Sequence, residues 1–330
     1  MHFQEHARKI RHLKVDTSGD PITSDILFVL QLLTANKPLL PGLKAFKCMG
    51  ATEAFIPFIP LFLSPKTVRI AIDFATGLPT LMVASITSRL STLCPDLESI
   101  TLSRLPRDSV ITEAVSEMVL DCNRDTLRRF LALSPLTAEA REVVYQLPEL
   151  AELWSVILER TPLPPVALPN LTLINLEYGD HLDWLQGFRG AVFGGLESVC
   201  FRCESEQIGD FLGSFESVTV TTSIPATLSR FIFRTSRSWI PNCRSLLQFT
   251  QLRHLIIEFS CGGNCSSRVD DNVITDLAQA MPKLEILQLG HPPCERGTGV
   301  TIKGLIALAC GCLDLSALRI HLKLPVWSRR

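Results

Sequence analysis

Leu284-Glu-Ile-Leu287-Gln-Leu289 decides how this chain is read, because the same phrase returns on both sides of it. Toward the N-terminus it recurs as Leu252-Arg-His-Leu255-Ile-Ile257, Phe215-Glu-Ser-Val218-Thr-Val220, Leu196-Glu-Ser-Val199-Cys-Phe201 and Leu171-Thr-Leu-Ile174-Asn-Leu176. Earlier copies are Leu97-Glu-Ser-Ile100-Thr-Leu102 and Ile10-Arg-His-Leu13-Lys-Val15, and a later one is Leu315-Ser-Ala-Leu318-Arg-Ile320. From Leu150 onward the phrases start about 20 to 37 residues apart, the range of stacked repeats. One such phrase means little, since Leu is common. Eight of them mean a solenoid.

The last two apolar residues of each phrase are two apart, so on a strand they share one face and are buried together. The first apolar residue, three positions earlier, packs at the entry to that strand. One strand cannot bury its own face, but stacking it beside the next repeat's strand does, which gives a parallel sheet. Ile22 to Leu33, Leu136 to Leu147, Asp270 to Met281 and Gly299 to Ala309 carry apolar residues at three- and four-residue steps, as return helices require. Thr137 and Asp270 open two of them as N-caps.

Weaker copies fill the register at Leu40-Pro-Gly-Leu43-Lys-Ala-Phe46, Val68-Arg-Ile70-Ala-Ile72, Leu127-Arg-Arg-Phe130 and Leu147-Pro-Glu-Leu150-Ala-Glu-Leu153. The expected fold is α/β, a leucine-rich-repeat solenoid with its parallel sheet on the concave face and helices outside. The Asn that commonly follows the strand of such repeats is missing, as in Leu289-Gly-His-Pro, which predicts an irregular horseshoe. Residues 1–330 read as a single array, with the proline-rich stretch 161–169 as a loop inside it. Val199, Phe201, Val218, Val220, Leu255, Ile257, Leu287, Leu289, Leu318 and Ile320 are the expected core.

Hydrophobic residues make up 46 % of the chain and charged residues 20 %, a balance that folds rather than stays disordered. A net charge of −1 lacks the footprint of a nucleic-acid or anionic-membrane binder, so neither partner is expected. The longest apolar run, Ala54 to Leu63, is broken by Pro57 and Pro60 and is too short to span a membrane. With no signal-peptide core at the start, the reading is cytoplasmic or nuclear, and the eleven Cys are read as reduced thiols.

Cys200-Phe-Arg-Cys203 and Cys261-Gly-Gly-Asn-Cys265 have the look of zinc ligand pairs. Cys200 falls inside a strand phrase, however, and the second pair sits in a Gly-rich loop of different spacing, so no metal is expected. No phosphate-cradling loop, nucleophile elbow, dinucleotide fingerprint or His-Glu-x-x-His is present. The seven His share no recurring Ser, Cys or carboxylate partner. The sequence therefore predicts no enzyme, no cofactor and no catalytic residue.

Within each phrase the residues between the buried ones point to the opposite, concave face and line up in columns across repeats. They are His12 and Lys14, Ser99 and Thr101, Asn175 and Glu177, then Ser198, Cys200 and Arg202. Thr219 and Thr221, His254 and Glu258, Gln288, and Arg319 with His321 complete the set. Charges of both signs among small hydroxyls suit a polypeptide partner, and Arg202, His254 and Arg319 are the expected anchors.

Phe3-Gln-Glu-His-Ala-Arg-Lys-Ile-Arg-His-Leu-Lys-Val15 resembles the segment that opens the repeat region of many fungal, mushroom-type F-box proteins. Pro38-Leu-Leu-Pro-Gly-Leu-Lys44, Phe62-Leu-Ser-Pro-Lys66, Leu93-Cys-Pro-Asp-Leu-Glu98 and Leu133-Ser-Pro-Leu-Thr137 are similar to phrases that follow there in the same order. The resemblance implies the substrate-recognition half of a cullin-type ubiquitin ligase subunit, whose repeats present a surface to a protein substrate. In that family an F-box precedes this point and docks on a Skp-type adaptor. Met1 stands where the repeats begin, so no F-box is expected within these residues, and adaptor binding is expected only if one lies upstream. The other reading of the same residues is a free-standing repeat scaffold outside ubiquitination or, less favoured, an uncharacterised enzyme.

Overall fold

The structure, a computed structural model, describes residues 2–17, 24–34, 37–157, 167–178, 192–193, 195–203, 227–235, 246–259, 269–290, 299–320 and 322. The chain divides into two compact units, Met1–Val156 and Ile157–Arg330. Both are α/β, and both are built on parallel strands joined in chain order.

The first unit opens with helix α1 (His2–Lys9), strand β1 (His12–Asp16) and helix α2 (Ser24–Thr34). Then come β2 (Ala45–Ala51), a 3-10 turn and the short α3 (Ile59–Phe62), β3 (Arg69–Phe74), and α4 (Thr80–Ser88) with α5 (Leu90–Leu93). It closes with β4 (Ser99–Ser103), α6 (Ser109–Asp121), β5 (Arg129–Pro135), α7 (Ala138–Val144) and β6 (Glu152–Ile157). Neighbours in the sequence are neighbours in the sheet, because every strand returns through a crossover and parallel pairing follows. The register sets Phe46 beside Ile70, Ile70 beside Ile100, Ile100 beside Phe130, and Phe130 beside Leu153. All five are at most 1 % exposed, so the position after the two-residue gap of the phrase forms one buried row. The weaker phrases of the sequence are thus strands as good as the strong ones.

The second unit holds β7 (Ala167–Leu168), β8 (Leu173–Tyr178), β9 (Val192–Phe193), β10 (Ser198–Cys203), β11 (Arg230–Thr235) and β12 (His254–Phe259). After these come helix α8 (Asp271–Ala280), β13 (Ile286–Leu289), helix α9 (Ile302–Gly311) and β14 (Ala317–Ile320). Strands β8, β10, β11, β12, β13 and β14 are adjacent in that order, while β7 and β9 pair separately. Ile174, Val199, Phe231, Leu255 and Leu287 form the equivalent buried row. Strand β11 is absent from the phrases quoted above, yet Leu228-Ser-Arg-Phe231-Ile-Phe233 spells one in full. The expected phrase at Phe215 to Val220, with its core residues Val218 and Val220, lies outside the described residues.

A backbone device repeats at both units' strand entries. The carbonyl just before one strand accepts two consecutive amides from the repeat that follows. Arg11 O takes Lys44 N and Ala45 N, Lys44 O takes Val68 N and Arg69 N, and Val68 O takes Glu98 N and Ser99 N. The same fork appears at Glu98, Arg128, Thr172, Glu197, Ser229, Arg253 and Glu285, at 2.7–3.1 Å throughout. Hydroxyls reinforce it: Thr67, Thr126 and Thr227 donate to the carbonyls of Leu43, Leu97 and Leu196 in the preceding repeat. Ser229 and Ser316 donate likewise to Glu197 and Glu285. Backbone groups at the entry to each of these strands are therefore satisfied by the neighbouring repeat.

The helices follow from caps and apolar stripes. Asp108, Thr137 and Asp270 accept the first-turn amides of Val110, Ala140 and Val273, so the two N-caps read from the sequence sit where expected. In α6, Ile111, Val115, Met118 and Val119 are buried, and in α8 Ile274 and Leu277 are, each at three- or four-residue steps. Two core expectations are corrected. Leu318 is 42 % exposed and Ile320 only half-buried, because β14 pairs with β13 on one side and with no described strand on the other.

Asp271 joins α8 to α9. Its carboxylate accepts the amide and hydroxyl of Thr301, each at 2.7 Å, and the amide of Gly304 at 3.1 Å, while Thr301 caps α9. These bonds, with the Thr301 amide foremost, hold the Asp271 carboxyl below its ordinary range. A depressed carboxyl stabilises the fold above its unfolded pKa and loses that contribution as pH falls through the folded one. The melting-temperature gap between wild type and Asp271→Asn is therefore expected to shrink as pH is lowered from about 5 to about 3. A gap that stays constant over that window would remove this carboxylate's role.

Candidate functional site

Alternation along each strand leaves one side of each unit's sheet free of the helical core. In the second unit the register places Glu177, Arg202, Arg234 and Glu258 side by side on β8, β10, β11 and β12. Arg234 Nε donates to Glu258 Oε2 at 2.6 Å, and Gln288 Nε2 donates to Glu258 Oε1 at 3.0 Å. Arg202 lies 3.9 Å from Glu177, whose side chain is only 8 % exposed. Two arginines thus stand together at the centre, flanked by carboxylates whose attraction offsets their mutual repulsion. The Arg234–Glu258 side chains are 41 % and 31 % exposed, so the pair is worth about 0–1 kcal/mol. Its effect is orientation: it fixes the plane of a half-exposed guanidinium.

Below that row lie Asn175, Cys200, Ile232, Ile256 and Gln288. Ile232 and Ile256, neither among the expected contact residues, make the middle of this row apolar, and Ile232 is 6 % exposed. Burial pushes the Cys200 thiol up, against the pull of Arg234 and Arg202, so it stays protonated at neutral pH. Asn175 and Gln288 stand at the two sides of this apolar floor.

The structure brings five of the expected contact residues, Asn175, Glu177, Arg202, Glu258 and Gln288, onto one patch. Glu177 takes part as a nearly buried anchor of Arg202 rather than as an exposed contact. His254 stands one row away, its Nε2 3.6 Å from Glu285 Oε2, where Arg253 also bonds Glu285 at 2.9 Å. Arg319 is exposed on β14 beside Gln288. His321, Thr219, Thr221, Cys261 and Cys265 lie outside the described residues. Arg234 stands in the same row without being among the expected residues, and its signal is the phrase Leu228-Ser-Arg-Phe231-Ile-Phe233 of β11.

No protein-family model and no curated protein matches this chain. Its chemistry is read from its own residues. Among the described residues no three His, Cys, Asp or Glu side chains gather as a metal site would require, and no helix is long and apolar enough to cross a membrane.

In the first unit the free side of the sheet is dished. An open concavity of about 410 Å³ lies over β1 to β5 and takes in His12 and Lys14, two further expected contact residues. Ser99 and Thr101 also line it, Ser99 from a buried position and Thr101 half-buried. The buried thiols of this unit lie outside the concavity. Burial raises Cys48 to about 11 and Cys94 and Cys122 to about 12, so all three are neutral at physiological pH.

Proposed function

We propose that this chain is a non-catalytic protein-binding module, a leucine-rich-repeat array whose free strand face receives a polypeptide. The row Glu177–Arg202–Arg234–Glu258 over an Ile232–Ile256 floor carries the reading. Oriented arginines above a small apolar base are what protein interfaces use as anchors. The rigid parallel strands hold those side chains at fixed spacing, so little entropy is lost when a partner arrives. Resemblance to mushroom-type F-box proteins extends the proposal: the polypeptide is a substrate, and the chain is the recognition part of a ubiquitin ligase subunit. Adaptor binding is then expected only where an F-box accompanies these repeats, and co-purification of a Skp-type adaptor with residues 1–330 alone would overturn that division.

The test replaces Arg202, His254 and Arg319 together by Ala and compares partner capture with an outer-face variant carrying Ala at Asn272, Gln279 and Lys303. All three control positions are exposed on α8 and α9. The strand-face variant is expected to lose capture by about tenfold or more, with circular dichroism unchanged, while the helix-face variant keeps it. Equal capture by two folded variants would remove the strand face as the binding surface.

A further inference from the structure

The concavity of the first unit has a floor and a rim of opposite character. Ala45, Ala71, Ser99 and Thr101 supply short side chains in its middle, while His12, Lys14, Lys47, Arg69 and Arg129 supply long basic ones. Among the described residues no Asp or Glu lines it. The register puts Lys14 directly beside Lys47 on adjacent strands, and among the described residues neither has an ion-pair partner. Like charges so placed destabilise a sheet slightly, and a bound anion removes that cost. Arg69 meets Glu98 at 3.7 Å and Arg129 meets the half-buried Glu152 at 2.9 Å, solvent-accessible pairs with which an incoming anion can compete. Asp73, on the same face of β3, is already held in a fork by Arg104, so it does not neutralise the lysines.

We propose that this basin binds a short acidic segment of a polypeptide, with Lys14, Lys47 and Arg69 as the principal contacts. The proposal rests on the protein-binding reading above and names the chemistry of one partner segment. Acidic side chains two apart on an extended peptide are about 6.6 Å apart, and adjacent strands about 4.8 Å, so flexible Lys and Arg stems span the difference. The site is too confined for a nucleic-acid track: it ends at Glu98 and Glu152, and the whole chain carries a net charge of −1.

Fluorescence anisotropy of a labelled hexaglutamate peptide with the full chain tests this. Binding is expected at about 50 mM NaCl and is expected to weaken strongly by about 500 mM. Lys14→Glu with Lys47→Glu is expected to lower affinity about tenfold or more, and Lys14→Gln with Lys47→Gln by a smaller factor. Lys37→Glu with Lys66→Glu, exposed on the same unit, is expected to leave affinity unchanged. Absence of binding at low salt, equal losses in the Lys14/Lys47 and Lys37/Lys66 charge reversals, or tighter binding of a single-stranded oligonucleotide or of inorganic phosphate overturns the proposal. Partner capture separates this failure from the other. Capture that survives in the Lys14/Lys47 variants while hexaglutamate fails to bind overturns the acidic-segment inference alone.

Discussion

Replacing Phe231 by Ala is expected to destabilise the protein by about 3–5 kcal/mol. Phe231 is fully buried, flanked across the sheet by Val199 and Leu255, with the Phe201 ring edge-on at 6.2 Å. Removing it deletes the transfer energy of an aromatic ring and leaves a cavity bounded by strands on both sides, which cannot collapse without breaking their ladders. Leu287→Ala, one 0 % exposed residue further along the same row, is expected to cost about 2–5 kcal/mol. Leu318→Ala is the informative contrast: the same phrase position, already 42 % exposed, should cost under about 1 kcal/mol. Urea denaturation of the three variants decides it. A Phe231 variant within about half a kcal/mol of wild type would place that side chain outside the core and void the register.

The second large effect runs against helix propensity. Gly311 ends α9, where Ala would ordinarily gain up to about 1 kcal/mol. A Cβ there would stand 2.7 Å from the Ala278 carbonyl oxygen and 3.0 Å from Ala278 Cβ, both fixed parts of α8. Neither neighbour is the end of a flexible side chain, so the helices must separate. The Cys312 thiol meanwhile bonds Met281 O at 3.4 Å and resists that movement. Overpacking of this kind costs about 1–3 kcal/mol and should outweigh the propensity gain. Gly311→Ala is therefore expected to lower the melting temperature, and a rise would show that α9 shifts freely against α8.

Much of the strand set was legible in the sequence. Two apolar residues two apart with a third three positions earlier located β1, β4, β8, β10, β12, β13 and β14, and weaker versions located β2, β3, β5 and β6. The pattern works because parallel strands covered by helices on one side need the same two inward residues each time. Strand β11 obeys the same rule at Leu228, Phe231 and Phe233, and it brings Arg234 beside Arg202 to form the central arginine pair. Helix α6, the longest of the described helices at 13 residues, was unmarked. Its Asp108 cap and buried Ile111, Val115 and Met118 were the available signal.

By itself the sequence determined the period, the faces and the order of strands, since these depend on spacing along one chain. Only the tertiary structure decided which residues of different repeats become neighbours. Loop lengths vary from repeat to repeat, so the distance in sequence between Lys14 and Lys47, or between Arg202 and Arg234, says nothing of contact. Hydrogen-bonded register sets it. The same register decided exposure: Leu287 and Leu318 occupy one position of one phrase, yet among the described residues the first has a strand on each side and the second on one. Burial belongs to the neighbours a residue acquires, and no phrase encodes its own.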